Sequence, residues 1–182
     1  MSVRDRGKVW LLVAIAGVML LGGTPAVRPP IVEPAAAPAR GLDASAVSAL
    51  ILDVNPILST YEADRIGDSV VRYSTKYGLD AEIVTAVLLV ESSARPWAKS
   101  PKGARGLMQV MPYMARPLGM VGNLNTIESN IEAGCVILAG NIRRLGEKDG
   151  ISAYFWGSKI RGVAYWNRIE AARERVRHFL AS

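Results

Sequence analysis

The run Ile83 to Val90 reads IVTAVLLV, eight residues of which only Thr85 is polar. Wound as a helix, such a segment is apolar on almost every face, so the rest of the chain has to build a core around it. Glu91 ends the run, and between Ser92 and Thr126 the chain has lysines and arginines but no aspartate or glutamate. A carboxyl with apolar walls has its charged form disfavoured, which raises its pKa and keeps a proton available near neutral pH. The pattern points to one buried acid used alone. The competing reading is a helix-end acid in a structural ion pair with Arg95 or Arg105, which would lower its pKa instead.

The periodicity around this run is helical. Ile66, Val70, Tyr73 and Tyr77 recur at spacings of four, three and four, and Gly78 follows as a stop. Asp80 is placed to cap the helix that carries Ile83 to Glu91, with Glu82 near its positive end. Ile127, Ile131, Leu138, Ile142 and Leu145 mark another helix ending at Gly146, and Val163, Trp166, Ile169, Val176 and Phe179 mark a last one. No strand pattern approaches these in length. An all-α domain follows, with room for a small hairpin in the irregular stretch from Ser93 to Asn125. With 182 residues, half of them hydrophobic, one domain with a real core is expected.

The N-terminal end reads differently. Arg4, Arg6 and Lys8 precede Val9 to Gly23, an uncharged apolar stretch of fifteen residues. That is the pattern of an export signal, short of the roughly 20 residues that span a bilayer. Cleavage near Thr24-Pro25-Ala26 and retention as a tilted anchor extended to Val27 both fit, and either places the remainder outside the cytoplasm, in the periplasm or cell envelope. Five prolines and many alanines follow between Thr24 and Arg40, too little apolar bulk to fold. The expected organisation is a signal or membrane anchor over 1–26, a Pro/Ala-rich linker over 27–42 and a folded domain over 43–182.

Charge and cysteine narrow the function classes. The net charge of +6 is concentrated late: Lys159 to Arg177 holds six basic residues and two acidic ones. Such a face suits an anionic polymer, cell-wall material rather than nucleic acid for an exported chain, or is a solvated helix surface. Cys135 is the lone cysteine and is expected in the core. His178 is the lone histidine, on a basic terminal helix, and no glycine-rich phosphate loop follows a strand, so neither a metal nor a cofactor is expected.

The irregular stretch after Glu91 has its own order. Pro96, Pro101, Gly103, Gly106 and Pro112 set turns around Leu107, Met108, Val110 and Met111, which holds a loop against the core beside the acid. Ser100 and Gln109 can hydrogen-bond a carboxyl or a sugar there without competing as acids. Turn capping is the alternative role for each.

The segment ESSARPWAKSPKGARGLMQVMP, Glu91 to Pro112, resembles the signature of the soluble-type (SLT) lytic transglycosylases of bacterial cell walls, family 1, whose domain is related in fold to goose-type lysozyme. Later landmarks keep the order: Asn130-Ile131 leading to Gly134, and AYFWG at Ala153 to Gly157. The resemblance covers roughly Leu79 to Gly157. It implies that Glu91 is the sole catalytic carboxylate, cleaving the β-1,4 bond between N-acetylmuramic acid and N-acetylglucosamine in peptidoglycan glycan strands. It also implies substrate contacts from Ser100, Gln109, Met111 and the Tyr154 hydroxyl. Asn130 matches a motif asparagine that either touches substrate or ties down a helix start. A monomer whose N-terminal segment contacts the membrane is expected.

Ordinary glycosidases set two carboxyl groups across the bond, with substrate-assisted families as an exception. The resemblance implies such a case: Glu91 protonates the leaving oxygen, the sugar's N-acetyl carbonyl supplies the nucleophile, and a 1,6-anhydro product closes without water. A hydrolase of the lysozyme kind would need a further acid, for which Glu128 and Glu132 are the candidates. The departure is at Phe155, where the family commonly has asparagine in a YNAG-like sequence. Losing that amide puts the orientation of Tyr154 in question, and an inactive wall-binding module is the reading it favours.

Overall fold

The computed structural model describes residues 42–119 and 124–182; the expected signal or anchor and nearly all of the linker lie outside these. Among the described residues seven α-helices follow in order: α1 (Ala44–Val54), α2 (Thr60–Tyr77), α3 (Ala81–Ser92), α4 (Pro112–Ala115), α5 (Ile127–Leu145), α6 (Glu147–Trp156) and α7 (Ala164–Ala181), with a 3-10 turn at Arg116–Leu118 after α4. The domain is all-α. The hairpin expected in the irregular stretch is two isolated antiparallel bridges, Lys99 to Arg105 and Arg105 to Val110, too short to be strands. Among the described residues no helix is long and apolar enough to cross a membrane.

The helix ends follow from their caps. The Asp43 carboxylate accepts from the Ala46 amide at the start of α1. Ser59 and Glu62 form a reciprocal capping box on α2, which Gly78 ends at φ 66°. Asp80 accepts from the Glu82 amide to start α3, and Thr126 caps α5.

The consecutive residues Ile83 to Leu89 of α3 are all buried, as a helix apolar on every face requires. α7 lies along α3, and α5 packs against both α2 and α6. Glycines allow the closest approaches: a Cβ on Gly67 would sit 2.2 Å from the Ala44 carbonyl oxygen, and one on Gly150 would sit 2.5 Å from the Ile142 Cα. Cys135 is fully buried, and its thiol pKa is pushed up to about 12 by burial.

The basic end of the chain is largely spent on the fold. Arg173 bridges Glu82 (2.7 Å), Glu147 (2.9 Å) and Glu170 (3.1 Å), Arg177 also reaches Glu82 (2.7 Å), and Arg175 pairs with Asp53 (3.3 Å). These contacts clamp α7 to α1, α3 and α6. The expected polymer-binding face is thus reduced, because three of its arginines already have carboxylate partners within the chain.

Candidate active site

Glu91 is the penultimate residue of α3, and the chain leaves the helix there through a sharp reversal. Ser93 and Ala94 both adopt left-handed backbone, at φ 51° and 58°. For residues with a Cβ that conformation costs on the order of 1–2 kcal/mol each. Neighbours hold it: Asn55 at the end of α1 donates to the Ala94 carbonyl (2.9 Å), and Arg95 donates through Nε to the Ser92 carbonyl (2.8 Å). Ala94 is fully buried. The reversal ends α3 and starts the loop that leads to Met111.

The Glu91 carboxyl has its pKa raised, first because burial disfavours its charged form. Two groups pull the other way: the Tyr165 hydroxyl, which donates to Glu91 Oε1 at 2.6 Å, and the positive charge of Arg168. Neither partner of the alternative ion pair is engaged. Arg95 is used on the Ser92 carbonyl, and Glu91 forms no salt bridge among the described residues. With Oε1 accepting from Tyr165, Oε2 is left to carry the proton of the neutral acid.

Glu128 and Glu132 are occupied elsewhere. Arg65 donates to both oxygens of Glu128 at 2.8 Å, holding its pKa down. Glu132 accepts from Lys76 (2.6 Å) and the Tyr77 hydroxyl (2.8 Å); burial pushes its pKa up, and these partners outweigh that and lower it. Both stay ionised and engaged with α2, so neither is a ready second acid. Among the described residues no group of three or more His, Cys, Asp or Glu side chains is placed to hold a metal.

The loop after Glu91 is a compact turn system. The Ser100 hydroxyl accepts from the Ala104 amide (3.0 Å), which is the turn-capping role, while the residue stays partly exposed. Gln109 sits at φ 48° and donates through Nε2 to the carbonyls of Ala98 (3.1 Å) and Gly106 (2.9 Å). Its Oε1 has no partner among the described residues and remains able to accept from a ligand. Met111 precedes α4 and is half-buried.

Of the two roles open to Asn130, contact with substrate or tying down a helix start, its surroundings favour the second: it is 1% exposed. Its Nδ2 donates to the carbonyls of Arg105 (2.7 Å) and Leu124 (2.9 Å), and its Oδ1 accepts from the Met108 amide (2.8 Å). Thr126 supplies the side-chain cap of α5, and Asn130 pins the loop and the approach to that helix. Both donor hydrogens of this buried amide are thus spent on backbone carbonyls. Gly106 and Gly134 make this docking fit: a Cβ on Gly106 would lie 2.3 Å from Asn130 Nδ2, and one on Gly134 would lie 2.3 Å from Met108 Sδ.

Tyr154 donates its hydroxyl proton to the Met108 carbonyl (2.8 Å), so the oxygen's lone pairs are what it can turn toward a ligand. Burial, reinforced by the nearby Glu91 charge, holds its pKa well above the ordinary value, and it stays neutral. Phe155 stacks on the Tyr165 ring, 4.8 Å between centroids at 13°, and meets Trp156 edge-on at 4.9 Å. An aromatic contact thus stands where the amide of the YNAG-like pattern would be, and what it braces is Tyr165.

Tyr165, Arg168 and Asn55 were not singled out from the sequence. Tyr165 lies 74 positions from Glu91. The available signal was its register with Ile169 and Val176, the three buried residues of α7.

Comparison with known proteins follows the same lines. The family described as Transglycosylase SLT domain matches residues 68–174, more than half of the chain. A protein called Transglycosylase from Enterobacteria phage PRD1 is 36% identical over 96 residues, which covers 48% of this chain and 36% of that protein. Membrane-bound lytic murein transglycosylase C of Edwardsiella ictaluri is 46% identical over 48 residues, covering 26% of this chain and 13% of that one. The chain thus matches well under half the length of these relatives. The crystal structure of the 70 kDa soluble lytic transglycosylase SLT70 from Escherichia coli superposes with a TM-score of 0.49 at 24% identity, over 74% of this chain and 27% of that one. On the extent of the family match, the chain belongs to the Transglycosylase SLT domain family.

Proposed function

We propose that this chain is a peptidoglycan lytic transglycosylase, which cleaves the β-1,4 bond between N-acetylmuramic acid and N-acetylglucosamine and leaves a 1,6-anhydro-muramic end. The observation that carries the reading is Glu91: a carboxyl whose pKa burial raises, while Glu128 and Glu132, the candidates for a second acid, are both paired with cations of α2. It is supported by the relatives, whose names describe transglycosylases and lytic murein transglycosylases.

In this reading Glu91 Oε2 donates its proton to the leaving glycosidic oxygen while the bond from that oxygen to the anomeric carbon breaks. The carbonyl oxygen of the muramic acid's own N-acetyl group bonds to the anomeric carbon and forms an oxazolinium ring. Glu91, now ionised and still accepting from Tyr165, takes the proton of the C6 hydroxyl. The C6 oxygen bonds to the anomeric carbon, the oxazolinium opens and no water is consumed. Glu91 ends protonated, ready for the next cycle. The lone pairs of Tyr154 face the positive charge that develops at the sugar, Gln109 Oε1 accepts from a sugar hydroxyl or amide, and Ser100 and Met111 contact the same glycan strand.

The domain acts in the periplasm or cell envelope, tethered or released by the segment before residue 43, as a monomer that uses no cofactor and binds no nucleic acid. Mass spectrometry of digested peptidoglycan is the test. Products one water lighter than muramidase products are expected, and they vanish in Glu91→Gln while wall binding persists. Reducing ends alone would overturn the anhydro mechanism, and unchanged lysis by Glu91→Gln would overturn the enzyme itself.

A further inference from the structure

An open cleft of about 450 Å³ is lined by Trp97, Ala98, Lys99 and Arg105, on the loop that leaves Glu91, and by Asn125, just ahead of α5. Its cations are fixed in place by their backbones. Lys99 and Arg105 face each other across the turn Ser100 to Ala104, joined by an antiparallel bridge. The Ser100 amide donates to the Ala104 carbonyl and the Gly106 amide to the Ala98 carbonyl, at 3.0 and 2.8 Å. Asn130 holds the Arg105 carbonyl from the core. The side chains are in the opposite condition. Neither the Lys99 ammonium nor the Arg105 guanidinium has a hydrogen-bond or ion-pair partner among the described residues, whereas the three C-terminal arginines of α7 are all paired. Beside them Trp97 is 69% exposed, a large apolar ring left in water.

Two unpaired cations in one concavity set up a local positive potential, and a guanidinium offers a forked donor that matches a carboxylate. An exposed indole adds a flat apolar platform at small entropic cost, since it has only two side-chain torsions. The ligand that satisfies all three is a short peptide with a free carboxylate, carried on a sugar chain that runs past Glu91. Resting on the reading of the chain as a peptidoglycan lytic transglycosylase, we propose that this cleft binds the carboxylates of the stem peptide next to the scissile bond, so that the enzyme prefers peptide-bearing strands with free carboxylates.

The test compares glycan fragments whose stem peptides have free carboxylates with the same fragments amidated at those positions. For the wild-type chain the free form is expected to show a KM lower by about tenfold, with kcat little changed. In Lys99→Gln/Arg105→Gln the preference disappears and activity on amidated fragments stays at the wild-type level. Thermal unfolding of this variant is expected to match the wild-type, because neither side chain makes a hydrogen bond or ion pair among the described residues. Trp97 fluorescence gives a readout independent of turnover: isolated stem tetrapeptide quenches it and the amidated peptide does not, with Trp97→Phe as control. Equal KM values for both fragments in the wild-type chain, or an equal loss on both in the variant, would overturn the proposal. If the wild-type chain forms no product from either fragment, the transglycosylase reading fails instead, and peptide quenching then reports on the cleft alone.

Discussion

Asn130→Ala separates a residue that holds the loop from one that holds substrate. The side chain serves three backbone groups: the Met108 amide and the carbonyls of Arg105 and Leu124. The Arg105 carbonyl keeps a second donor, the Val110 amide at 3.0 Å. The other two have no replacement among the described residues, and both residues are buried, Met108 at 0% and Leu124 at 8%. Leaving a buried backbone group unsatisfied costs about 1–3 kcal/mol, so two give roughly 2–6 kcal/mol, reduced to about 2–4 if water enters the space left by the amide. That is a large share of a domain stability of about 5–15 kcal/mol. Urea denaturation of the full chain measures it as a fall in midpoint at unchanged slope. Asn130→Asp sharpens the test. Its carboxylate could still accept from Met108, but its other oxygen would face two carbonyls, which disfavours ionisation. Its folded pKa is then raised, so the loss is full at neutral pH and shrinks as pH falls towards the unfolded value near about 4. A stability within about 0.5 kcal/mol of wild-type, with activity lost, would refute the positioning role and restore Asn130 to the substrate site.

Four further outcomes follow from the geometry. Tyr165→Phe removes a donor that favours the ionised form of Glu91, so its pKa rises and the alkaline limb of the kcat/KM profile moves to higher pH; a limb that stays or moves down contradicts the 2.6 Å contact. Because the folded pKa of Glu91 is raised above 4.5, the wild-type chain loses stability as pH climbs through that value, so Glu91→Gln should gain on it from acid to neutral pH in paired thermal melts. Gly134→Ala drives a methyl against Met108 and should cost about 1–3 kcal/mol, whereas Gly140→Ala on the same helix meets nothing within 4 Å and should gain up to about 1 kcal/mol; equal effects would deny the close approach. Phe155→Ala removes the stack on Tyr165, and about 0.5–1.5 kcal/mol of stability with part of the activity should go with it, whereas full lysis would show that Tyr165 needs no brace.

Much of the helical frame was legible because its signals are local. The run IVTAVLLV became a buried α3, Gly78 and Asp80 became the stop and start they suggested, and the stripe from Ile127 to Leu145 gave the bounds of α5. The last helix shows where periodicity runs out. Val163 and Trp166 fall on the apolar face that spacing predicts, yet Val163 is 53% exposed and Tyr165 is the buried residue. A tyrosine beside a tryptophan gives no sign of which one turns inward; the answer depends on α3 lying alongside with a carboxyl in need of a donor. Arg173 and Arg177 likewise read as free charge because their partner Glu82 is more than 90 positions away. The lone acid could be found from sequence since its evidence is an absence of neighbours, but its donor could not, since the contact exists only once α7 has folded back.

That contact also explains why one carboxyl can serve both halves of the proposed reaction. An acid buried without any donor would hold its proton too tightly to give it up, and one paired with a cation would lose it before substrate arrived. Glu91 lies between these limits: burial raises its pKa, while Tyr165 and the charge of Arg168 restrain the rise. When the proton leaves, the hydroxyl at Oε1 is already oriented toward the new negative charge, so stabilising it needs little rearrangement. The donor's own proton is secure, because burial and the Glu91 charge hold the Tyr165 pKa well above its usual value. The four-helix clamp through Arg173, Arg175 and Arg177, remote in sequence from the acid, keeps α7 docked, and with it the hydroxyl on which both steps of the proposed reaction would draw.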